Sequence, residues 1–330
     1  MRNHPHLFFF VTAVVSYVAA EFQNPYPPVA ALFGPRNKFI CNAVVLGKGQ
    51  ILTSADCLYL KKNGSYSLGA PSDFHVALET HSIERFHSGK AFSGKSSRWR
   101  YLQKLSRKFG AKYDNNYANE VFSNQLKPDK ISYLSKALRT SGLNSKIDRN
   151  YVPVLSFRIH PGFKESFSND LAVLNISDRY PTDNSSIAEV SQNSIEMAFN
   201  RVVHVYGFGI LSHGANETNR PVYFKARTVE MYLLPPSRCQ HDMENLFQSD
   251  QHLCLKPSGN ETLCLGFTGA PIVLDGKLIG IVDFGHFSCS LDSPVVGIRL
   301  DAFGDFLGLP APTFFDSFRK LIETLMGVKL

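Results

Sequence analysis

An all-β body interrupted by a basic helical segment is the fold class this sequence predicts, and three observations predict it. Outside one central block the chain reads as short β-branched and aromatic runs, FICNAVVLG, QILTSA, LAVLNI, RVVHVYGFG, APIVLDG and KLIGIVDFG, punctuated by Gly, Pro, Asn and Ser. That is the rhythm of strands between turns. The block from Glu84 to Asn150 instead carries 15 Lys/Arg against 5 Asp/Glu, a net +10, so the chain's overall +7 leaves −3 for everything else. Near the C-terminus, apolar residues recur at helical rather than alternating spacing. With 330 residues, 44% of them hydrophobic, the chain is long enough for a sizeable buried core and is not disordered. No tight repeat argues for a propeller or solenoid.

The first element, MRNHPHLFFFVTAVVSYVAA, sets Arg2 before an apolar run from Leu7 to Val18 and ends on Ala19 and Ala20. This is the pattern of a secretory signal peptide over residues 1–20, cut after Ala20. The run is too short to cross a bilayer comfortably, so a membrane anchor is not expected. A secreted, extracellular protein spanning residues 21–330 follows as the expectation. In that compartment the six cysteines, Cys41, Cys57, Cys239, Cys254, Cys264 and Cys289, read as three disulfides rather than metal ligands. No CxxC or HExxH spacing points to a metal, and no cofactor is expected. Sequons at Asn63, Asn175, Asn184, Asn216 and Asn260 are candidate glycosylation sites.

Within the basic block, SRWRYLQKLSRKFGA places Trp99, Leu102, Leu105 or Ser106, and Phe109 along one helical side. Arg98, Arg100, Lys104, Arg107 and Lys108 surround that side. A second run, PDKISYLSKALRTSG, sets Pro128 near a helix start, Ile131, Leu134 and Leu138 on a stripe, and Gly142 at a stop. Two helices inserted at about 84–150 are therefore expected. A basic amphipathic face of this kind serves either as a solvated cover on the body or as a site for a sulfated glycan, an anionic surface or an acidic protein. Nucleic acid is not an expected partner of a secreted chain. At the C-terminus Phe314, Phe318, Leu321, Ile322 and Leu325 make an apolar stripe with Arg319, Lys320 and Glu323 between them, predicting a docked helix over about 311–328.

Four segments stand in a fixed order: CNAVVLGKGQILTSADC from Cys41 to Cys57, RIHPGFKESFSNDLAVL from Arg158 to Leu174, YGFG from Tyr206 to Gly209, and CLGFTGAPIVLDGKLIGIVDF from Cys264 to Phe284. Together they resemble the trypsin/chymotrypsin-like serine protease domain, whose motifs read roughly LTAAHC, HPxYxxxxxxNDIALL, GWG and CxGDSGGP followed by GIVSWG. The resemblance covers about residues 26 to 308, broken by the basic block. It implies two packed six-stranded antiparallel β-barrels with a cleft between them. It also implies the pairings Cys41–Cys57, Cys239–Cys254 and Cys264–Cys289, which leave no thiol over.

The family's chemistry needs a hydroxyl nucleophile, a histidine base, an aspartate to orient the histidine, and backbone N–H groups for the oxyanion. Carried over by position, the base falls on Asp56, a carboxylate where the reaction wants an imidazole. Asp56 is expected to face the retained acid Asp170, two like charges with nothing left for Asp170 to orient. The nucleophile falls on Thr268, whose added methyl crowds a site shaped for serine. The activation aspartate that pairs with a new N-terminal ammonium is replaced by Phe267. EFQNPYP, residues 21–27, lacks the Arg-Ile-Val-Gly-Gly type of cleavage site. Ala270 replaces a second glycine, while Gly266 keeps the position whose N–H faces an oxyanion. Thr262 stands at the base of the substrate pocket and joins the Asn260 sequon; Asp283, Phe284 and Gly285 replace the Ser-Trp-Gly wall.

The resemblance therefore implies a catalytically inactive serine protease homologue of insect type, a pseudoenzyme that acts by binding other secreted proteins. Active proteases, inhibitors and seminal proteins are the partner classes in view. No cysteine remains for a clip domain of the kind that precedes immune homologues, so a seminal-fluid, reproductive-tract protein in a post-mating network is the narrower expectation. The alternatives are a cofactor or decoy in an extracellular immune protease cascade, and an active protease with Thr268 as nucleophile.

Overall fold

The computed structural model describes residues 29–35, 38–47, 49–62, 65–78, 151–164, 167–177, 188–191, 194–213, 222–243, 246–285 and 289–310. Several expectations lie outside these residues. They are the signal peptide, EFQNPYP, all of the basic insertion with Arg98, Arg100, Lys104, Arg107 and Lys108, the helix at 311–328, and the sequons at Asn63, Asn184 and Asn216.

Two closed six-stranded antiparallel barrels form the body. The first is built from β1 (Val29–Gly34), β2 (Lys38–Gly47), β3 (Gln50–Thr53), β6 (His75–Ala77), β7 (Tyr151–Ile159) and β8 (Ala172–Ile176), in the order β1-β2-β3-β8-β7-β6. Between β3 and β6 the chain makes a small separate hairpin, β4 (Tyr59–Lys62) and β5 (Ser65–Leu68). The second barrel contains β9 (Val202–Ser212), β10 (Val222–Leu234), β11 (His252–Pro257), β13 (Pro271–Leu274), β14 (Lys277–Gly285) and β15 (Val295–Arg299). Its order is β10-β11-β15-β14-β13-β9, and pairing of β9 with β10 closes the ring. The two-residue β12 (Thr262–Leu263) adds to β9. Closure leaves neither six-stranded ring with an open edge along its length.

The continuous apolar runs of the sequence follow from strands buried on both faces. In β2, Cys41, Ala43 and Val45 point into the first barrel while Val44 faces the second. In β3 and β8 the same alternation sends Ile51, Ala172, Leu174 and Ile176 inward, and Leu52 and Val173 outward, joined by Leu171 just before β8. The outward set meets Val273, Leu278, Ile281 and Ile298 from the second barrel, so one apolar layer binds the two barrels. The second barrel fills with Val203, Val205, Val229, Met231, Leu255 and Ile272, among others. Asp275 and Gly276, both at positive φ, make the two-residue turn that registers Leu274 against Lys277 in the β13–β14 hairpin.

Two short helices occur among the described residues; the first was not among the sequence expectations, and the second falls in the C-terminal region where helices were expected. α1 (Pro236–Met243) begins on a proline, which suits a first helical position, and buries only Cys239 and Met243, four residues apart. So sparse a stripe carries little periodicity. α2 (Gly304–Leu307) stops at Gly308 in the left-handed region. It lies on β7, where Arg158 donates to the Phe306 carbonyl at 2.6 Å and stacks over the Phe306 ring. Ala77 and Tyr151 are register partners, so the chain leaves β6 at Leu78 and returns to β7 beside its point of departure.

Candidate functional site

Asp56 lies in a 3-10 turn, Ala55–Leu58, directly after β3, and Cys57 is bonded to Cys41 of β2. Asp170 precedes β8 and is 1% exposed. Its Oδ2 accepts from the Ser54 hydroxyl at 2.6 Å and its Oδ1 from the backbone N–H of Asp56 at 2.8 Å. Asp170 therefore does have something to orient, namely the turn that carries Asp56, which corrects the expectation that it holds nothing. What Asp56 gives to Asp170 in these bonds is its backbone N–H, a charge-assisted donor.

Thr268 sits in the loop between β12 and β13. Its hydroxyl donates to the backbone carbonyl of Asp283 at 3.1 Å. That carbonyl is available because the register of β14 against β15 slips between Val282 and Phe284, making Asp283 the extra residue of a bulge. Among the described residues no histidine is hydrogen-bonded to the Thr268 hydroxyl.

The loop is held by its backbone and by Asn42, a residue sequence reasoning passed over. The N–H of Asn42 donates to the Thr268 carbonyl at 2.8 Å. Its fully buried side chain donates from Nδ2 to the carbonyls of Gly266 at 2.8 Å and Phe208 at 3.1 Å, and accepts the Phe208 N–H at 2.8 Å. The available signal was an amide in the middle of FICNAVVLG, since a buried polar group must find partners. Gly269 is required here: its φ is +80°, and a Cβ would lie 2.0 Å from the Asn42 carbonyl oxygen.

Phe267 is 2% exposed and belongs to the core of the second barrel. Its ring fills the space over Gly209, where a Cβ would come within 2.5 Å of it. The second glycine of YGFG thus makes room for this ring. Gly266, at φ +91°, keeps a backbone that a side chain rarely adopts.

The pocket position and two of the three wall positions are equally enclosed. Thr262 is 1% exposed, and its hydroxyl has no hydrogen-bond partner among the described residues. Val295, the register partner of Gly285, is buried in the second-barrel core. Phe284 packs on a fully buried Phe167, ring centroids 4.4 Å apart and tilted by 53°, in an apolar cluster with Met243, Leu246 and Phe247. Asp283 is buried, with Oδ2 3.7 Å from Nε2 of the buried His252. The remaining disulfides join Cys239 to Cys254 and Cys264 to Cys289. Of the two described sequons, Asn260 is exposed after β11, while Asn175 lies within β8 with its amide donating to Ser156. No cluster of metal-ligating side chains occurs among the described residues.

Comparison with known proteins places this geometry among relatives. A family model described as trypsin matches residues 96–307, more than half of the chain. Kallikrein 1-related peptidase b3 of Mus musculus is 27% identical over 203 residues, which cover 59% of this chain and 72% of that protein. Trypsin delta of Drosophila erecta is 27% identical over 161 residues, 46% of this chain and 61% of its own length. An alkaline trypsin of Manduca sexta is 23% identical over 156 residues, 46% and 59% of the two chains. The chain thus spans about three fifths of the insect trypsins it matches. Among solved structures, mouse neuropsin, a serine protease expressed in the limbic system, superposes with a TM-score of 0.52 at 17% identity, over 86% of this chain and 93% of that one. At that identity the likeness speaks for the fold alone.

Proposed function

The chain belongs to the trypsin family, and from that premise we propose that it is a secreted member that works by binding other proteins rather than by cutting them. The observation that carries this reading is the hydrogen bond from the Thr268 hydroxyl to the Asp283 carbonyl. A nucleophile must hand its proton to a base, and here the proton is committed to a peptide oxygen. The base position supplies Asp56, a carboxylate whose ordinary pKa near 4 makes it a poor acceptor for an alcohol proton. Loss of the triad as a working unit lowers turnover by on the order of a millionfold, roughly 8 kcal/mol in the barrier. The phenyl ring of Phe267 supports the same reading, because it fills a core position where an ion pair would need a carboxylate.

The narrower proposal is a seminal-fluid or reproductive-tract protein in a post-mating network. A cofactor or decoy role in an extracellular immune cascade is the alternative, and both fit the insect trypsins among the relatives. Secretion is proposed from the signal-peptide pattern and agrees with three disulfides and no free cysteine among the described residues. Partners are proposed to be other secreted proteins, with the basic segment serving a sulfated glycan or anionic surface. The test is a fluorophosphonate probe with a panel of peptide substrates on the purified protein. Neither labelling nor hydrolysis is expected; a covalent label mapped to Thr268 overturns the reading.

A further inference from the structure

The residues before Asp170 are gripped by a segment of the second barrel. Gln248 Nε2 donates to the Ser168 hydroxyl at 2.6 Å, and Gln251 Oε1 accepts the Asn169 N–H at 2.8 Å. His252 Nε2 meets the Phe167 carbonyl at 3.0 Å. Phe167 and Asn169 both sit at positive φ, 71° and 53°. Such backbone is sparsely populated outside glycine, so this stretch keeps its shape only while its contacts last.

His252 is the group on which the grip turns. It is 3% exposed, and its Nδ1 accepts the backbone N–H of Gln248 at 3.0 Å. One ring thus serves a donor at Nδ1 and an acceptor at Nε2. Only the neutral imidazole with its proton on Nε2 satisfies both. The turn is also closed by two main-chain bonds to the Gln248 carbonyl, from the His252 N–H at 2.8 Å and the Gln251 N–H at 3.1 Å. A second proton at Nδ1 sets N–H against the Gln248 N–H and pushes that end of the turn outward, which draws Gln248 off Ser168 and Gln251 off Asn169.

Charged groups from several elements lie near the ring among the described residues. Asp283 of β14, 3.7 Å from Nε2, favours the imidazolium. Asp170 follows Asn169 and is held by Ser54 and Asp56. Arg299 of β15 follows Ile298, the register partner of His252. Its guanidinium is bonded to Asp301 and Glu196 and lies 3.4 Å from the Ser249 carbonyl, while its N–H donates to the Gln251 carbonyl. Asp250 lies on the segment itself.

We propose that His252 is an acid-released latch between the barrels: neutral, it holds the 248–252 turn on Phe167–Asn169; protonated, it lets the turn go and uncovers the apolar cluster of Phe167, Phe247 and Phe284. The proposal does not depend on whether the cleft is catalytic. Hydrogen exchange of the intact protein, corrected for intrinsic rates, tests it. Peptides spanning 246–252 are expected to exchange about tenfold faster near pH 5 than near pH 7.5, in the range where a histidine gains its proton. Peptides from β13 and β14 are expected to stay protected at both. His252→Gln supplies an acceptor and a donor without a titration, so the turn is expected to stay closed. Asp283→Asn leaves the latch's own bonds in place, so release is expected at lower pH. An unchanged turn in the wild type, acid opening of His252→Gln, an unmoved midpoint in Asp283→Asn, or loss of β13–β14 protection together with the turn each overturns the proposal.

Discussion

The turn at Ser54–Cys57 and the loop at Cys264–Pro271 come from different barrels, and Thr53, just before the turn, is tied to the loop through Asn42; yet their departures from the family motifs differ in kind. The turn has stayed polar: Asp170 accepts both the Ser54 hydroxyl and the Asp56 N–H. In the loop a residue of the reactive segment has become core, with Phe267 buried over Gly209. Common to both is that backbone groups carry the holding contacts, Asp56 N–H on one side and the Gly266 and Thr268 carbonyls on the other. The contrast teaches that the cleft's shape and its chemistry rest on separable parts. On the proposed reading, the side chains needed for turnover are replaced while main-chain bonds hold both loops in place.

The comparison breaks most visibly at Phe267. Phe267→Asp, which restores the family's residue, puts an unpaired carboxylate into an apolar core and is expected to lower unfolding stability by about 3–5 kcal/mol. Urea denaturation measures it; a neutral outcome means the loop is not held by this ring. Asn42 tests the main-chain side. Asn42→Ala removes the partners of the Phe208 N–H and of the Gly266 and Phe208 carbonyls, and a loss of about 2–3 kcal/mol in the same assay is expected. A loss below about 0.5 kcal/mol, the scale of an ordinary surface change, separates the loop from Asn42.

The smallest effect belongs to a third region, at β6. His75 stacks on Phe33 and meets Tyr151 edge-on, and burial pushes its pKa below the ordinary histidine value. The fold therefore favours the neutral ring. Its contribution is full above about pH 6.5, the unfolded value, and is lost as pH falls towards the lower folded value. Melting temperature is expected to drop on acidification, and to drop less in His75→Phe. An identical slope in the variant rules out this source.

Most of the fold was legible because each barrel strand carries its own signal, such as LAVLNI for β8 or the Asp275–Gly276 turn for the β13–β14 hairpin. The assignment of Asp56, Asp170, Phe267 and Thr268 to catalytic-site positions rests on the motifs around them and belongs to the proposal. What those side chains touch was not legible. The Thr268–Asp283 bond depends on a bulge, and the bonds of Asn42 reach Phe208 and Gly266, 166 and 224 residues away. His252 stands in no motif, and its role arises only when the second barrel lays residues 248–252 against Phe167–Asn169. Local patterns encode strands; bonds between the barrels are fixed by the pairing of distant segments.

The register of Ala77 with Tyr151 has a thermodynamic consequence. Strand pairing fixes the two ends of the 79–150 connection side by side, so the cost of its length to the barrel is that of closing a loop between those ends. That cost grows with the logarithm of length, about 0.6 kcal/mol for each doubling. A connection of a few residues and one of many dozens thus differ by only a few kcal/mol for the barrel that anchors them. At this point of the chain, sequence could accumulate at little expense to the barrel itself.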